Sequence, residues 1–367
     1  MEESKIKPIL YLISTSSTDV RLRKFLKFFV NRRIRVTFWG WDRKNINHVE
    51  AGVNTHYLLH NGTNSKKQTL LYYFLWMIKL FFKLLFKRDL RNYNIIAIHF
   101  ESGFPILLVS LLRNIRYFYE VYDELSLSVN YPDVIKGIIR FVDRMIMKRA
   151  VKIIHVDQNR CLYNKENCIV IENTPYDFFK GGERDYSDLE KMFAVVGYFS
   201  PTRGLDQIYK FASKNRHYKF ILVGNFVNND EIEQKFDKLD NIIKYEFMSQ
   251  EQLFGLMKKC CAIFSLYEPS LEINKLAASN KVYDAMMLGV PVITNHEVLN
   301  SKYIQENRIG FVVNYTCDES WNVLEEDNIL EKCKEIGKNG REIYLLKYRF
   351  ENLIEHNLMP VLFRNNG

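Results

Sequence analysis

Short runs of apolar, β-branched and aromatic residues alternate along the whole chain with longer stretches whose apolar residues recur at helical spacing. Brief continuous apolar runs suit strands buried on both faces, and the stretches between them suit crossover helices. The pattern therefore predicts α/β architecture built on parallel sheets. In the first half, strands are expected near Ile9–Ile13, Arg35–Trp39, Asn54–Leu58, Ile95–His99, Tyr117–Val121, Lys152–Val156 and Cys168–Ile171. Between the first two, Leu22, Phe25, Leu26, Phe29 and Val30 share one helical face, with Arg and Lys opposite. The pattern breaks at Asn173-Thr174-Pro175, and Gly181-Gly182 follows in a polar stretch. It restarts with strands expected at Phe193–Gly197, Phe220–Val223, Ile242–Tyr245, Ala262–Ser265, Val290–Thr294 and Gly310–Val313. This divides the chain into one α/β domain over 1–175, a second over 176–349, and a helical tail over 350–367 expected to return to the first domain.

Composition agrees with two packed cores. The chain has 367 residues, 47% of them apolar and 14% aromatic, which suits two domains of roughly 150–200 residues and excludes global disorder. Cys161, Cys168, Cys260, Cys261, Cys317 and Cys333 show no CxxC spacing. Neither a disulfide framework nor a zinc site is expected from that arrangement, and reduced thiols in the cytoplasm are the simple reading. The apolar run Pro8–Ile13 follows a charged start and reads as a buried strand rather than a signal peptide.

Charge adds an asymmetry. Residues 1–180 hold 29 Lys and Arg against 16 Asp and Glu, whereas the remainder holds 23 against 27. Such a contrast points to an anionic surface met by the first half, the alternative being a merely uneven surface. Within that half, Leu70–Phe86 has only Lys79 and Lys83 among its apolar residues, and Ser65 and Gln68 have capping-box spacing. Lys79, Lys83 and Lys87 fall four apart, beside an apolar face that includes Trp76. A spanning helix would bury that stripe in lipid, so the expectation is an interfacial helix on an anionic membrane, or else a core helix with snorkelling lysines. Lys136, Arg140, Arg144 and Lys148 repeat the spacing. No nucleic-acid module accompanies the basic stripes, and no nucleic-acid partner is expected.

Several chemistries lack their motifs. There is no GxGxxG opening a βα unit, no GxxxxGK[ST], no HExxH and no Asp-x-Asp, which argues against dinucleotide redox enzymes, P-loop NTPases, zinc peptidases and paired-carboxylate metal sites. Two segments do carry chemistry. In Val196-Gly197-Tyr198-Phe199-Ser200-Pro201-Thr202-Arg203-Gly204-Leu205 a strand ends in Gly, a short loop follows, and a basic residue and Gly open a helix. Small residues let backbone N–H groups approach an oxyanion, the helix N-terminus favours negative charge, and Arg203 adds a charged donor. An ordinary βα turn with a surface Arg is the alternative. In the second segment, Ala278 to Val292, Ser279 or Asn280 caps a helix whose first turn holds Lys281, an unfavourable place for a cation unless an anion binds there. Asp284 follows three residues on, placed to accept hydrogen bonds from a vicinal diol or simply to pair with Lys281.

Together these segments resemble the retaining, GT-B-fold glycosyltransferases of the family 4-like type, which includes bacterial polysaccharide and lipid-linked sugar transferases. Gly197 through Gly204 is similar to that family's glycine–basic–glycine phosphate loop, and Asn280-Lys281 through Pro291-Val292 to its donor helix. Weaker likenesses lie at Ser17–Arg21, Glu120–Glu124 and Asn173-Thr174-Pro175. The resemblance implies two Rossmann-like domains facing across a cleft, with the nucleotide-sugar donor held by the second. It implies that Gly197, Arg203, Gly204, Ser279, Asn280 and Lys281 grip the donor diphosphate and that Asp284 binds the ribose. The chain departs from the pattern at Tyr198, where Arg is common, at Leu276, where a second acid is common, at Asp284, where Glu is usual, and at Tyr122, where His is frequent. Glu272 is the candidate replacement for the acid that contacts the donor sugar.

With cations and helix dipoles stabilising a leaving nucleoside diphosphate, neither a metal nor a cofactor is required. Asp19, Asp123 and Glu124 are the candidates for orienting or deprotonating the acceptor hydroxyl, a solvated or structural role being the alternative for each. The expectation is sugar transfer from a nucleotide diphosphate sugar to a glycan or lipid-linked acceptor in surface polysaccharide synthesis, on the cytoplasmic face of the membrane. The competing readings are a nucleotide-sugar epimerase on the same fold and a non-catalytic basic binding protein.

Overall fold

The structure is a computed structural model that describes residues 6–63, 65–122, 124–125, 131–158, 161, 163–275 and 279–364. The chain forms two compact units, one of Met1–Glu172 with Leu353–Gly367 and the other of Asn173–Asn352.

The first unit is a seven-stranded sheet of β1 (Ile9–Leu12), β2 (Val36–Asp42), β3 (Val53–His60), β4 (Asn94–Ile98), β5 (Tyr117–Val121), β6 (Ile153–His155) and β7 (Cys168–Val170). Their order is β3-β2-β1-β4-β5-β6-β7, every pair parallel. Strands β1, β4, β5 and β6 are buried throughout, which is why they read as unbroken apolar runs. The crossover helices are α1 (Val20–Asn31), α2 (Lys66–Phe86), α3 (Phe100–Arg113) and α4 (Asp133–Arg149). Asp19 caps α1 by accepting the Leu22 N–H at 2.9 Å, so this candidate carboxylate holds a helix end. The tail docks on this unit: Asn357 Nδ2 donates to the Val170 carbonyl at 3.1 Å, and Glu355 pairs with Arg32.

Helix α2 shows how packing settles a question that its composition leaves open. It is long and apolar enough to cross a membrane by length and composition. Ser65 caps it, as the spacing to Gln68 predicts. Trp76, Leu80 and Leu84 are fully buried in the unit's core beside Trp39, Trp41 and Ile106. Trp76 is therefore a core residue and not part of a membrane-facing surface, which corrects the expectation from sequence. The outward stripe is Leu70, Phe74, Ile78, Phe82 and Phe86.

The second unit repeats the plan with β8 (Glu190–Phe199), β9 (Lys219–Phe226), β10 (Ile242–Tyr245), β11 (Cys260–Phe264), β12 (Val292–Asn295) and β13 (Gly310–Val313). The order is β10-β9-β8-β11-β12-β13, again all parallel. Helices α5 (Leu205–Lys214), α6 (Asp230–Asp237), α7 (Gln250–Met257), α8 (Asn280–Leu288), α9 (Ser301–Glu306) and α10 (Ile329–Ile343) connect or cover the strands. One face of the sheet buries an aromatic cluster that includes Phe193, Phe211, Tyr218, Phe220, Phe264 and Trp321, and the other packs on α8 through Val282, Ala285 and Met286. In each unit the strand order reverses beside the first strand, between β1 and β4 and between β8 and β11. Such a reversal leaves a crevice at the carboxyl ends of the two strands, the usual ligand position in open α/β sheets.

Candidate donor site at a strand-order reversal

The second unit's crevice collects both sequence motifs. Strand β8 runs into Gly197 with φ +116°, and Gly204 sits at φ +67° where the turn Pro201–Arg203 meets α5. A Cβ on Gly204 would lie 2.6 Å from Leu266 Cβ, so both the backbone angle and the available space require glycine there. The Glu268 N–H donates to the Thr202 carbonyl at 3.0 Å, which fixes this turn to the loop leaving β11. That loop is anchored in turn by the fully buried Asn295 at the end of β12. Its amide accepts the Tyr267 N–H at 2.9 Å and donates to the Tyr267 carbonyl at 3.1 Å.

Two cations converge on this frame. The Arg203 guanidinium lies over the Tyr267 ring, 4.6 Å from its centre. Lys281 brings its ammonium to 3.8 Å from where a Cβ on Gly197 would sit, so the two motifs meet across the reversal. Ser279 is the cap of α8. Its hydroxyl accepts the Lys281 N–H at 3.3 Å and receives a hydrogen bond from Ser265 at 2.7 Å. Asn280 begins the helix and is exposed, while Asp284, half-buried, lies one turn beyond Lys281. Glu272 starts a one-turn helix, Glu272–Lys275; the position of its side chain lies outside the described structure.

Tyr267 has no counterpart among the residues expected from sequence. Burial pushes its phenol pKa up, but Lys281, Arg203 and hydrogen bonds with Ser279 and Ser265 outweigh burial and bring it below the ordinary tyrosine value. A buried phenol pulled in that direction reports a strongly positive local potential, the property an anion site needs. No local pattern marks a tyrosine three residues past a strand. Exposed Tyr198, the position where the resembled family commonly has Arg, packs edge-on against exposed Phe247, 5.1 Å between ring centres.

The first unit's reversal also gathers polar groups. His99 at the end of β4 adopts φ +63° and ψ 167°, a conformation that costs a non-glycine residue on the order of 1–3 kcal/mol and is common at functional sites. Its ring meets Tyr122 at 4.5 Å, and Glu101, in the first turn of α3, accepts a hydrogen bond from Ser14. Arg21 and Glu120 form a buried ion pair at 2.9 Å; burial raises the Glu120 carboxyl pKa and Arg21 opposes the rise. Glu124 is half-buried near Asp143, and Asp123 lies outside the described residues. Sequence reading placed His99 at a strand end but assigned it no role, because an unusual backbone angle leaves no trace in composition.

Comparison with solved structures fits this geometry. No family model matches the chain, and no curated protein matches it in sequence. The chain is similar to the Anabaena protein HepE solved with UDP, at 14% identity and a TM-score of 0.69 over 95% of this chain and 98% of that one. It is similar to the sucrose-phosphate synthase of Thermosynechococcus elongatus, at 13% identity and a TM-score of 0.71 over 98% and 99%. It is also similar to WaaG, a glycosyltransferase involved in lipopolysaccharide biosynthesis, at 12% identity and a TM-score of 0.63 over 95% and 98%. The fold is GT-B. At these identities the likeness establishes architecture, and the chemistry rests on the residues described above.

Proposed function

We propose that this GT-B chain is a glycosyltransferase that moves a sugar from a nucleoside diphosphate sugar to a glycan or lipid-linked acceptor, with retention and without a metal, in surface polysaccharide synthesis. The observation that carries the reading is the convergence of Arg203 and Lys281 beside Tyr267 at the reversal between β8 and β11. Two cations, a glycine turn and the N-terminus of α8 supply what a departing diphosphate needs: fixed positive charge in place before charge develops on the leaving group. HepE, with the same fold, has been solved with UDP and with UDP-glucose, which supports a nucleotide-sugar donor. Asp284 is assigned to the ribose and Glu272 to the donor sugar. The polar groups of the first unit, Asp19, Asp123 and Glu124 with His99 and Glu101, are the candidates for orienting the acceptor.

The same reading places the enzyme on the cytoplasmic face of an anionic membrane. The exposed stripe of α2 continues in character on α4, where Val134, Ile138, Phe141 and Met145 are exposed. Lys79, Lys83 and Lys87 flank the first stripe, and Arg140, Arg144 and Lys148 the second. Apolar stripes edged with cations suit a headgroup layer. Lys79 donates to the Leu58 carbonyl at 3.3 Å, the Lys83 ammonium rests 4.6 Å from the centre of the Trp39 ring, and Lys87 pairs with Asp89 at 2.7 Å.

The test is a thermal-shift screen of nucleoside diphosphates, followed by product analysis with the matching sugar donor and a lipid-linked acceptor. Stabilisation by one diphosphate and acceptor-dependent release of it support the reading. Conversion of donor without acceptor indicates an epimerase, and no stabilisation by any nucleotide indicates a binding protein.

A further inference from the structure

The first unit holds a second cluster of reactive side chains, two strands along the sheet from the β1/β4 reversal. Strand β6 ends at His155, which is 2% exposed, Cys161 lies in the following loop and is 1% exposed, and half-buried Cys168 begins β7. The sequence spacing gives no hint of a site, since five residues separate the first two and six the last two. In the parallel register Cys168 pairs with Ile153 and Val170 with His155, so His155 and Cys168 stand two positions apart on adjacent strands, and Cys161 comes close to both. One donor atom from each of the three side chains then lies within 4.8 Å of the others.

From this geometry we propose that His155, Cys161 and Cys168 form a binding site for a thiophilic divalent cation of the zinc class, stapling the β6–β7 crossover. Around a tetrahedral zinc, with bonds of about 2.3 Å to sulfur and 2.0–2.1 Å to nitrogen, ligand atoms stand roughly 3.3–3.8 Å apart. The observed spread closes to that with shifts of about an ångström or less. The donor set is right for the metal: two sulfurs and an imidazole select zinc-class ions over magnesium or calcium. A second observation points the same way. Nδ1 of His155 is buried without a hydrogen-bond partner, an unfavourable state for an imidazole nitrogen. The thiols interact with each other, and Cys168 with His155; their carbonyl contacts are long, Cys161 to Asp157 at 3.8 Å and Cys168 to Asn164 at 3.5 Å and Tyr163 at 3.7 Å, weak contacts that are given up readily. Binding replaces the two thiol protons with the dication and releases both to solvent. Half-exposed Cys168 gives the ion its path in and leaves the fourth position to water. The site is separate from the donor crevice and independent of the proposed transferase activity.

The test uses the whole reduced chain and Co2+ as probe. One equivalent is expected to give the sulfur-to-cobalt charge-transfer absorption and the intense visible bands of tetrahedral thiolate coordination, with Zn2+ displacing it. Cys161→Ser and Cys168→Ser are expected to weaken binding about tenfold or more, and Cys317→Ser to leave it unchanged. In case a variant fails to fold, the wild type provides a second readout: Zn2+ should protect half-buried Cys168, but not exposed Cys317, from alkylation as mapped by mass spectrometry. Folded wild type with no thiolate band, a band that survives in both serine variants, or equal alkylation with and without Zn2+ would overturn the proposal.

Discussion

Arg203 stacks on Tyr267 at 4.6 Å while Lys281 acts on the same phenol from the neighbouring helix. The two residues that sequence assigns to a diphosphate therefore both act on one buried ring. Each is expected to contribute a charge-assisted contact of about 1.5–3 kcal/mol. Arg203→Ala and Lys281→Ala should then each lower kcat/KM for the donor by about tenfold or more. Steady-state kinetics on variants with unchanged circular dichroism decide it. Wild-type activity in either one removes that residue from the site. The Tyr267 resonance, followed by ring-labelled NMR, should titrate at higher pH in Lys281→Ala, since one of the charges lowering its pKa is gone.

A second expectation concerns magnesium and manganese. The chain lacks Asp-x-Asp, and the proposed function gives Arg203 and Lys281 the role that a metal ion would play against the diphosphate. Transfer should persist in excess chelator with no added divalent ion. Loss of activity that magnesium or manganese restores, and zinc does not, would show that the donor needs a metal after all.

Asp143 offers a stability test with a defined sign. Its carboxylate accepts the Tyr119 hydroxyl at 2.6 Å, and burial pushes its pKa from 3.8 to about 6 against that hydrogen bond. A pKa raised in the folded state gives stability that is complete below the unfolded value and is lost as pH rises through about 6. Asp143→Asn keeps an acceptor for Tyr119 without the charge. It should be more stable than wild type at pH ~8 by about 1–3 kcal/mol, with the gain vanishing near pH ~4. Urea denaturation at the two pH values measures this. An equal difference at both would assign the effect to polarity rather than ionisation.

Membrane binding is expected to follow the charge and the exposed stripe together. The protein should sediment with anionic vesicles, less so in high salt, and hardly at all with neutral ones, because each basic residue near an anionic leaflet adds about 1 kcal/mol that salt screens. Replacing Lys79, Lys83 and Lys87 by Glu, or exposed Phe82 and Phe86 by Ser, should reduce sedimentation and leave nucleotide binding unchanged. Wild type that ignores anionic vesicles at low salt would reduce α2 to a helix of the unit's core.

The central strands were legible in the sequence because a parallel strand buried on both faces needs an unbroken apolar run, the edge strands β3, β7 and β10 by their β-branched and aromatic residues, and each expected strand from Ile9–Ile13 to Gly310–Val313 overlaps an observed one. The turn from Gly197 to Gly204 and the capped helix Asn280–Leu288 were legible for the same local reason: a glycine turn, a cap and a first-turn cation are short-range features. What sequence left undetermined depends on residues distant along the chain. Helix α2 is apolar nearly all round, so only packing decides that Trp76, Leu80 and Leu84 turn inward while Phe82 and Phe86 turn out. Tyr267 joins the donor site because Asn295 pins its backbone from another strand. His155, Cys161 and Cys168 become neighbours because β6 and β7 pair. Periodicity records which face of a segment meets a core, but the meeting of side chains from different segments is set by strand order and loop path, and that belongs to the tertiary structure.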